Sequence, residues 1–189
     1  YLSEEYMELV RTCVEKGKQN DMLAWLYDED KWPSGFAGGL NTKEEENRQK
    51  ALFITSFPYN DGTLVTEYDK AHATDRLPET KYYFVACFDV LLNEDSRLIS
   101  YKRIELADEI PAGHEKWFAY VEYAVPSPYY NNQAYCDTLQ KSVIESFIKI
   151  THDAYKKHFK KDFGGVIPAI FTDEPNFRTK KTLNFAADK

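Results

Sequence analysis

Apolar residues return at helical spacing over residues 3–18, where Tyr6, Leu9, Val10, Cys13 and Val14 fall on one face. Ser3 is placed to cap that helix and Gly17 to end it, ahead of a turn at Asn20 and Asp21. The pattern then becomes an unbroken apolar run over residues 22–27, bounded by Asp21 and Asp28. Its length fits a strand buried on both faces, as in a parallel sheet. A helix followed by such a strand is αβ order. Residues 28–40 hold three glycines and a proline, which predicts a shaped loop. A short polar helix is predicted over 43–49.

From about residue 50 to 125 the period shortens. Residues 51–57, 63–68, 81–92, 97–105 and 117–125 read as strands, with turn signals at 60–62, 93–95 and 111–113 between them. Such runs predict an antiparallel meander inserted into an α/β frame. The frame resumes with a helix ending near residue 160, its stripe supplied by Leu139, Val143, Ile144, Phe147, Ile148, Thr151, Tyr155 and Phe159. Asp137 or Thr138 is its expected cap, with Gln140 able to close a capping box onto Asp137. Gly164 and Gly165 break the pattern, and residues 166–171 form a second apolar strand ending at Thr172-Asp173-Glu174-Pro175. The expected organisation is therefore 1–49 and 126–189 as βα elements of one domain, with 50–125 inserted as a β-rich region.

Composition narrows the function classes. With 24 basic and 31 acidic residues the net charge is -7, against the basic stripe of a nucleic-acid binder. No run approaches the roughly 20 apolar residues of a membrane span. Cys13, Cys87 and Cys136 are far apart and lack metal or disulfide spacing, so they read as small, mostly buried thiols. The four histidines are scattered, with His152 and His158 inside the second helix, and neither a metal triad nor a cofactor is expected. The chain opens at Tyr1 in helical pattern, so the natural protein is expected to begin upstream, leaving a cytoplasmic or secreted location open. Fourteen Tyr, twelve Phe and three Trp suit a sugar site, whose ligands present flat C–H faces to rings. On composition alone a β-rich core, where Tyr and Phe are favoured anyway, is the better reading.

The two apolar strands each end in an acidic cluster, Asp28-Glu29-Asp30 and Asp173-Glu174-Pro175. In parallel α/β folds ligands bind beyond the carboxyl ends of the strands. Paired carboxylates there suit glycoside hydrolysis, in which one protonates the leaving oxygen and the other attacks or activates water. The competing reading is that these acids cap the elements that follow. Asp28 and Glu29 are candidates for holding sugar hydroxyls, or a hard cation such as Ca²⁺. Trp32 is placed either to stack on a sugar or to pin its own loop. Asp137 is a helix cap or a sugar ligand, and Tyr129, Tyr130, Asn131 and Asn132 precede it as further candidates for lining a binding mouth.

The segment Trp25-Leu-Tyr-Asp-Glu-Asp-Lys-Trp-Pro-Ser-Gly-Phe-Ala-Gly-Gly39 resembles the strand and loop of large bacterial glycosidases of the α-L-rhamnosidase-like type. Tyr135-Cys-Asp-Thr-Leu139, the helix carrying Phe147, Thr151, His152 and Tyr155, and Phe171-Thr-Asp-Glu-Pro175 follow in the order those enzymes show. The resemblance covers roughly 1–50 and 125–178. It implies a (β/α)8 TIM barrel, here about strands two to four. It also implies Glu174 as catalytic general acid/base, with Asp173 standing where the wider clan of retaining glycosidases has Asn. The implied ligand is an oligosaccharide or glycoside, bound by Asp28, Glu29, Trp32, Asn131, Asp137 and Asp173. On this reading the chain is a barrel fragment, inactive alone, whose partners are the remaining strands. The alternatives are a carbohydrate-binding module without chemistry, and a metal-dependent hydrolase using Asp28, Asp30 and Asp173.

Overall fold

The computed structural model describes residues 1–56, 81–177 and 181–182. The predicted strand over 63–68 lies outside them. The chain divides into two compact units, residues 1–49 with 126–177, and residues 50–125 with 178–189.

In the first unit, α1 spans Glu4–Gln19, and the Ser3 side chain accepts from the Tyr6 amide at 3.1 Å as its cap. Glu4 and Glu5 sit in its first turn and Lys16 and Lys18 in its last, both favourable to the helix dipole. Met7 and Val14 are buried, and Gly17 is required by closeness, since a Cβ there would lie 3.1 Å from the Met22 carbonyl oxygen. The second helix, α2, spans Lys141–Phe159 and buries Val143, Phe147, Thr151, Tyr155 and Phe159, an unbroken i, i+4 stripe. Met7, Val14, Leu26, Tyr155, Phe159 and Ile167 form one core cluster; Phe36, Tyr135, Cys136 and Val143 form another. Burying side chains of this size contributes about 1.5–3 kcal/mol each.

The α2 helix starts later than its sequence predicts. Its cap is Gln140, without a side-chain capping bond, and the proposed box with Asp137 is not formed. The Asp137 backbone N–H donates to the Asn47 carbonyl, and its carboxylate accepts from the Leu139 amide at 3.2 Å. These bonds close a turn ahead of the helix instead of capping it.

The barrel expectation is overturned. Only Leu26–Tyr27 (β1) and Ile170–Phe171 (β6) are strands in this unit, and they pair directly in parallel, Leu26 with Ile170 and Tyr27 with Phe171. As strands two and four of a barrel they would be separated by strand three. Instead they hydrogen-bond to each other, and residues 126–137 supply a short 3-10 turn and isolated bridges. The apolar run over 22–27 is not buried on both faces either: Met22, Leu23 and Trp25 are 62–64% exposed. Among the described residues the fold is small and α/β, with two α-helices and mixed sheets, and is not part of a TIM barrel.

The second unit holds an antiparallel sheet but not the predicted meander, because the strand over Glu115–Tyr123 lies between those over Lys50–Thr55 and Tyr82–Leu92. Its strands are β2 (Lys50–Thr55), β3 (Tyr82–Leu92), β4 (Leu98–Ile104) and β5 (Glu115–Tyr123), antiparallel in the order β4-β3-β5-β2. The two-residue β7, Lys181–Thr182, lies parallel beside β2. Cys87, Phe118 and Tyr120 form its buried cluster. The β3–β4 turn is fixed by the Asn93 side chain, which accepts from the amides of Asp95 and Arg97. Among the described residues no helix is long and apolar enough to cross a membrane.

Candidate functional site

The ends of β1 and β6 are adjacent because the strands pair in parallel, and both acidic clusters follow at once. Asp28 is fully buried. One of its oxygens accepts from Ser34 Oγ at 2.6 Å and the other from Thr172 Oγ1, with His152 Nε2 3.7 Å away. A buried carboxylate is tolerated only when so bonded. Ser34 then ties the loop to the end of β6. Its Oγ accepts from the Asp173 amide at 2.9 Å, and its own amide donates to the Asp173 carbonyl at 2.8 Å.

Glu29, 1% exposed, is the organiser of the glycine-rich loop. One carboxylate oxygen accepts from the amides of Asp30 and Gly38, the other from those of Gly35 and Ala37. Converging amides of this kind form an anion-binding nest, and here the anion is the chain's own side chain. The convergence needs positive φ at Ala37 (53°) and Gly38 (62°). Burial pushes the Glu29 carboxyl up from 4.5 to about 7, outweighing the four N–H bonds that pull it down.

Two aromatic side chains complete the geometry. Trp32, 46% exposed, donates its indole Nε1 proton to Glu174 Oε2 at 3.2 Å, across 142 positions of sequence. Tyr129, 47% exposed, donates its hydroxyl to the Trp32 carbonyl at 2.6 Å. Asn131 bridges the rim, donating to Asp30 Oδ2 and the Gly38 carbonyl while accepting from Lys31 Nζ. On the inner side the Tyr27 phenol donates to Asp173 Oδ2 at 3.3 Å. Burial, and then the Asp173 charge, push that phenol up to about 12, so it stays a donor. The buried Cys136 thiol is also pushed up to about 12 by burial, which keeps it protonated and unreactive.

Of the residues singled out from sequence, Trp32 meets Glu174, while Asp28 and Asp173 are linked through Ser34. Asn131 joins the Asp30 side of the loop. Glu29 is present but turned inward with all its oxygen capacity used by the loop, so its role is to hold Trp32's loop in shape. Asp137 serves the turn before α2. Ser34, Thr172 and Lys31 were not anticipated as site residues. Ser34 lies in the quoted Trp-Pro-Ser-Gly stretch, but nothing in the pattern showed that it would face Asp28. Among the described residues no three His, Cys, Asp or Glu side chains group as a metal site.

The exposed part of the constellation is thus a carboxylate, an indole and a phenol ring, and a rim of amide and ammonium donors. It can hydrogen-bond to hydroxyl groups, stack on flat apolar faces and deliver a proton at Glu174. No family model, curated protein or solved structure matches the chain.

Proposed function

We propose that this site binds a carbohydrate and that Glu174 is the general acid of a glycoside hydrolase. The observation that carries the reading is the Trp32–Glu174 hydrogen bond, which sets an exposed stacking ring directly beside an exposed carboxylate. A sugar resting on the indole would present its glycosidic oxygen to Glu174. As the bond from the anomeric carbon to that oxygen breaks, the Glu174 proton passes to the leaving oxygen, while a second carboxylate attacks or activates water. Glu174 also holds φ at +40°, a region that costs a non-glycine residue about 1–2 kcal/mol. Strain of this kind is concentrated where a side chain must be aimed. The likeness of the Trp-Pro-Ser-Gly loop and Thr-Asp-Glu-Pro segment to rhamnosidase-like glycosidases points the same way, and the reading requires no barrel.

One observation favours a second reading, binding without hydrolysis. Asp28 and Glu29 spend their oxygens inside the fold, which removes two candidates for the partner carboxylate. Glu174→Gln separates the two. The amide keeps the shape and an acceptor for Trp32 but carries no acidic proton. Under the hydrolase reading turnover of aryl glycosides by the full-length protein collapses while sugar affinity changes by less than about threefold. A native protein that binds sugars but turns none over establishes the second reading.

A further inference from the structure

We infer that Tyr129 is a second stacking subsite, so that the ligand of this site is an oligosaccharide of at least two units and not a single sugar. The inference rests on the carbohydrate reading above and extends it from one ring to two.

The Tyr129 ring is exposed and yet held on every other side. Its hydroxyl is spent on the Trp32 carbonyl. Its edge meets the Tyr130 ring at 5.0 Å and 87°. Tyr130 in turn packs edge-on against buried Phe36 at 5.1 Å, and lies 5.9 Å from buried Tyr135. The Tyr129 amide is bonded to Ser127 Oγ, which fixes the short turn Pro128–Tyr130 that presents the ring. A loop tyrosine left exposed for solubility would point its hydroxyl at water. Here the hydroxyl is bonded to protein while the residue stays 47% exposed. A ring already immobilised loses little conformational freedom when a ligand stacks on it.

The polar groups around it suit hydroxyl recognition. Lys31 Nζ lies over one face of the Tyr129 ring, 5.8 Å from its centre, and bonds to Asn131 Oδ1 at 2.9 Å. It forms no ion pair among the described residues, so of its three protons only one is engaged there. The sequence of groups is then Glu174, Trp32, Tyr129, Lys31, with the two rings joined through one peptide carbonyl. An acid beside one ring and a spare donor over a face of the other suit adjacent sugar units. The unit on Trp32 lies at the acid, and the unit on Tyr129 is its neighbour.

The test begins with an array of mono-, di- and trisaccharides, followed by titration calorimetry with the best-bound disaccharide and the methyl glycosides of its two units. Native protein is expected to bind the disaccharide at least about tenfold more tightly than either methyl glycoside, a difference of about 1.4 kcal/mol. Tyr129→Ala should remove most of that advantage, while any smaller loss by the methyl glycoside seated on Trp32 should be shared by Tyr129→Phe, which loses the same bond to the Trp32 carbonyl. Tyr129→Phe, which keeps the ring, should keep the advantage. If Tyr129→Ala does not fold, Lys31→Met, which removes the spare donor over the Tyr129 ring, should weaken the disaccharide alone. Equal weakening of the disaccharide and both methyl glycosides, or no weakening in Tyr129→Ala, overturns the second subsite while leaving sugar binding intact. Silence of native protein across the array overturns the carbohydrate reading itself.

Discussion

Gly35 is where the shape of the binding loop is most easily broken. A Cβ placed on it would lie 2.5 Å from Cys136 Sγ and 3.2 Å from Tyr135 Oη, and its φ is +140°. Both the sulfur and the phenol belong to buried residues, so neither can swing away. Gly35→Ala therefore carries two separable costs. The backbone conformation costs an alanine about 1–3 kcal/mol. The overpacking against sulfur costs about another 1–3 kcal/mol. Together they take a large share of the roughly 5–15 kcal/mol that holds a domain folded. Cys136→Ala removes the sulfur and leaves the backbone conformation as it was. In that background the same Gly35→Ala change should cost only its conformational part, giving a coupling of about 1–3 kcal/mol between the two positions. Urea unfolding of the four proteins measures all the terms. A Gly35→Ala loss below about 1 kcal/mol would refute the conformational argument. A coupling within about 0.5 kcal/mol of zero would refute the steric one.

Two further outcomes follow from the acidic pair. Because burial raises the Glu29 carboxyl from 4.5 to about 7, the folded protein holds that proton more tightly than the unfolded chain does. Its contribution to stability is complete below the lower value and is lost as pH rises through the upper one, about 3 kcal/mol in all. Unfolding free energy should therefore fall between those two values in native protein relative to Glu29→Gln, and parallel profiles for the two proteins would contradict the assignment. Ser34→Ala removes a hydroxyl donor from the fully buried Asp28 carboxylate and should cost about 1.5–3 kcal/mol in chemical denaturation. A loss below about 0.5 kcal/mol would place Asp28 in contact with water.

The elements with a strong local period were legible in the sequence. The first helix begins where Ser3 caps it, and four of the strands fall within a residue or two of their predicted bounds, because hydrophobic alternation and turn chemistry are local signals. What failed was inference across elements. An apolar run such as residues 22–27 has no period, and it was read as fully buried on length alone. In the fold only Leu26 of that run is buried, because β6 pairs at Leu26 and Tyr27 alone. The barrel followed from that run and from a resemblance of several segments in order over roughly 1–50 and 125–178, and it fell to a fact no local pattern carries, that β1 and β6 are direct neighbours.

The site divides the same way. Trp32 and Glu174 stand out in sequence as an exposed-type aromatic and a strand-end acid, but their pairing depends on the parallel register of β1 and β6. Glu29 shows the limit of reading acids by type. A glutamate followed by Gly35, Gly38 and Gly39 reads as an exposed ligand group. The loop's amides instead fold back and enclose it. Helix α2 illustrates competition among caps. Asp137 is a good capping residue by type, but its amide is already committed to Asn47 and its carboxylate to Leu139, so the helix begins four residues later at Lys141.

The most direct measurement is the leaving-group dependence of glycoside hydrolysis by the full-length protein, native and Glu174→Ala, across aryl glycosides that include the α-L-rhamnoside. Good leaving groups depart with little protonation, and poor ones need the acid. Loss of activity confined to the poor leaving groups is the predicted result and identifies Glu174 as the proton donor. Equal activity of the two proteins on every leaving group would show that Glu174 serves only to receive the Trp32 hydrogen bond, and would contradict the account.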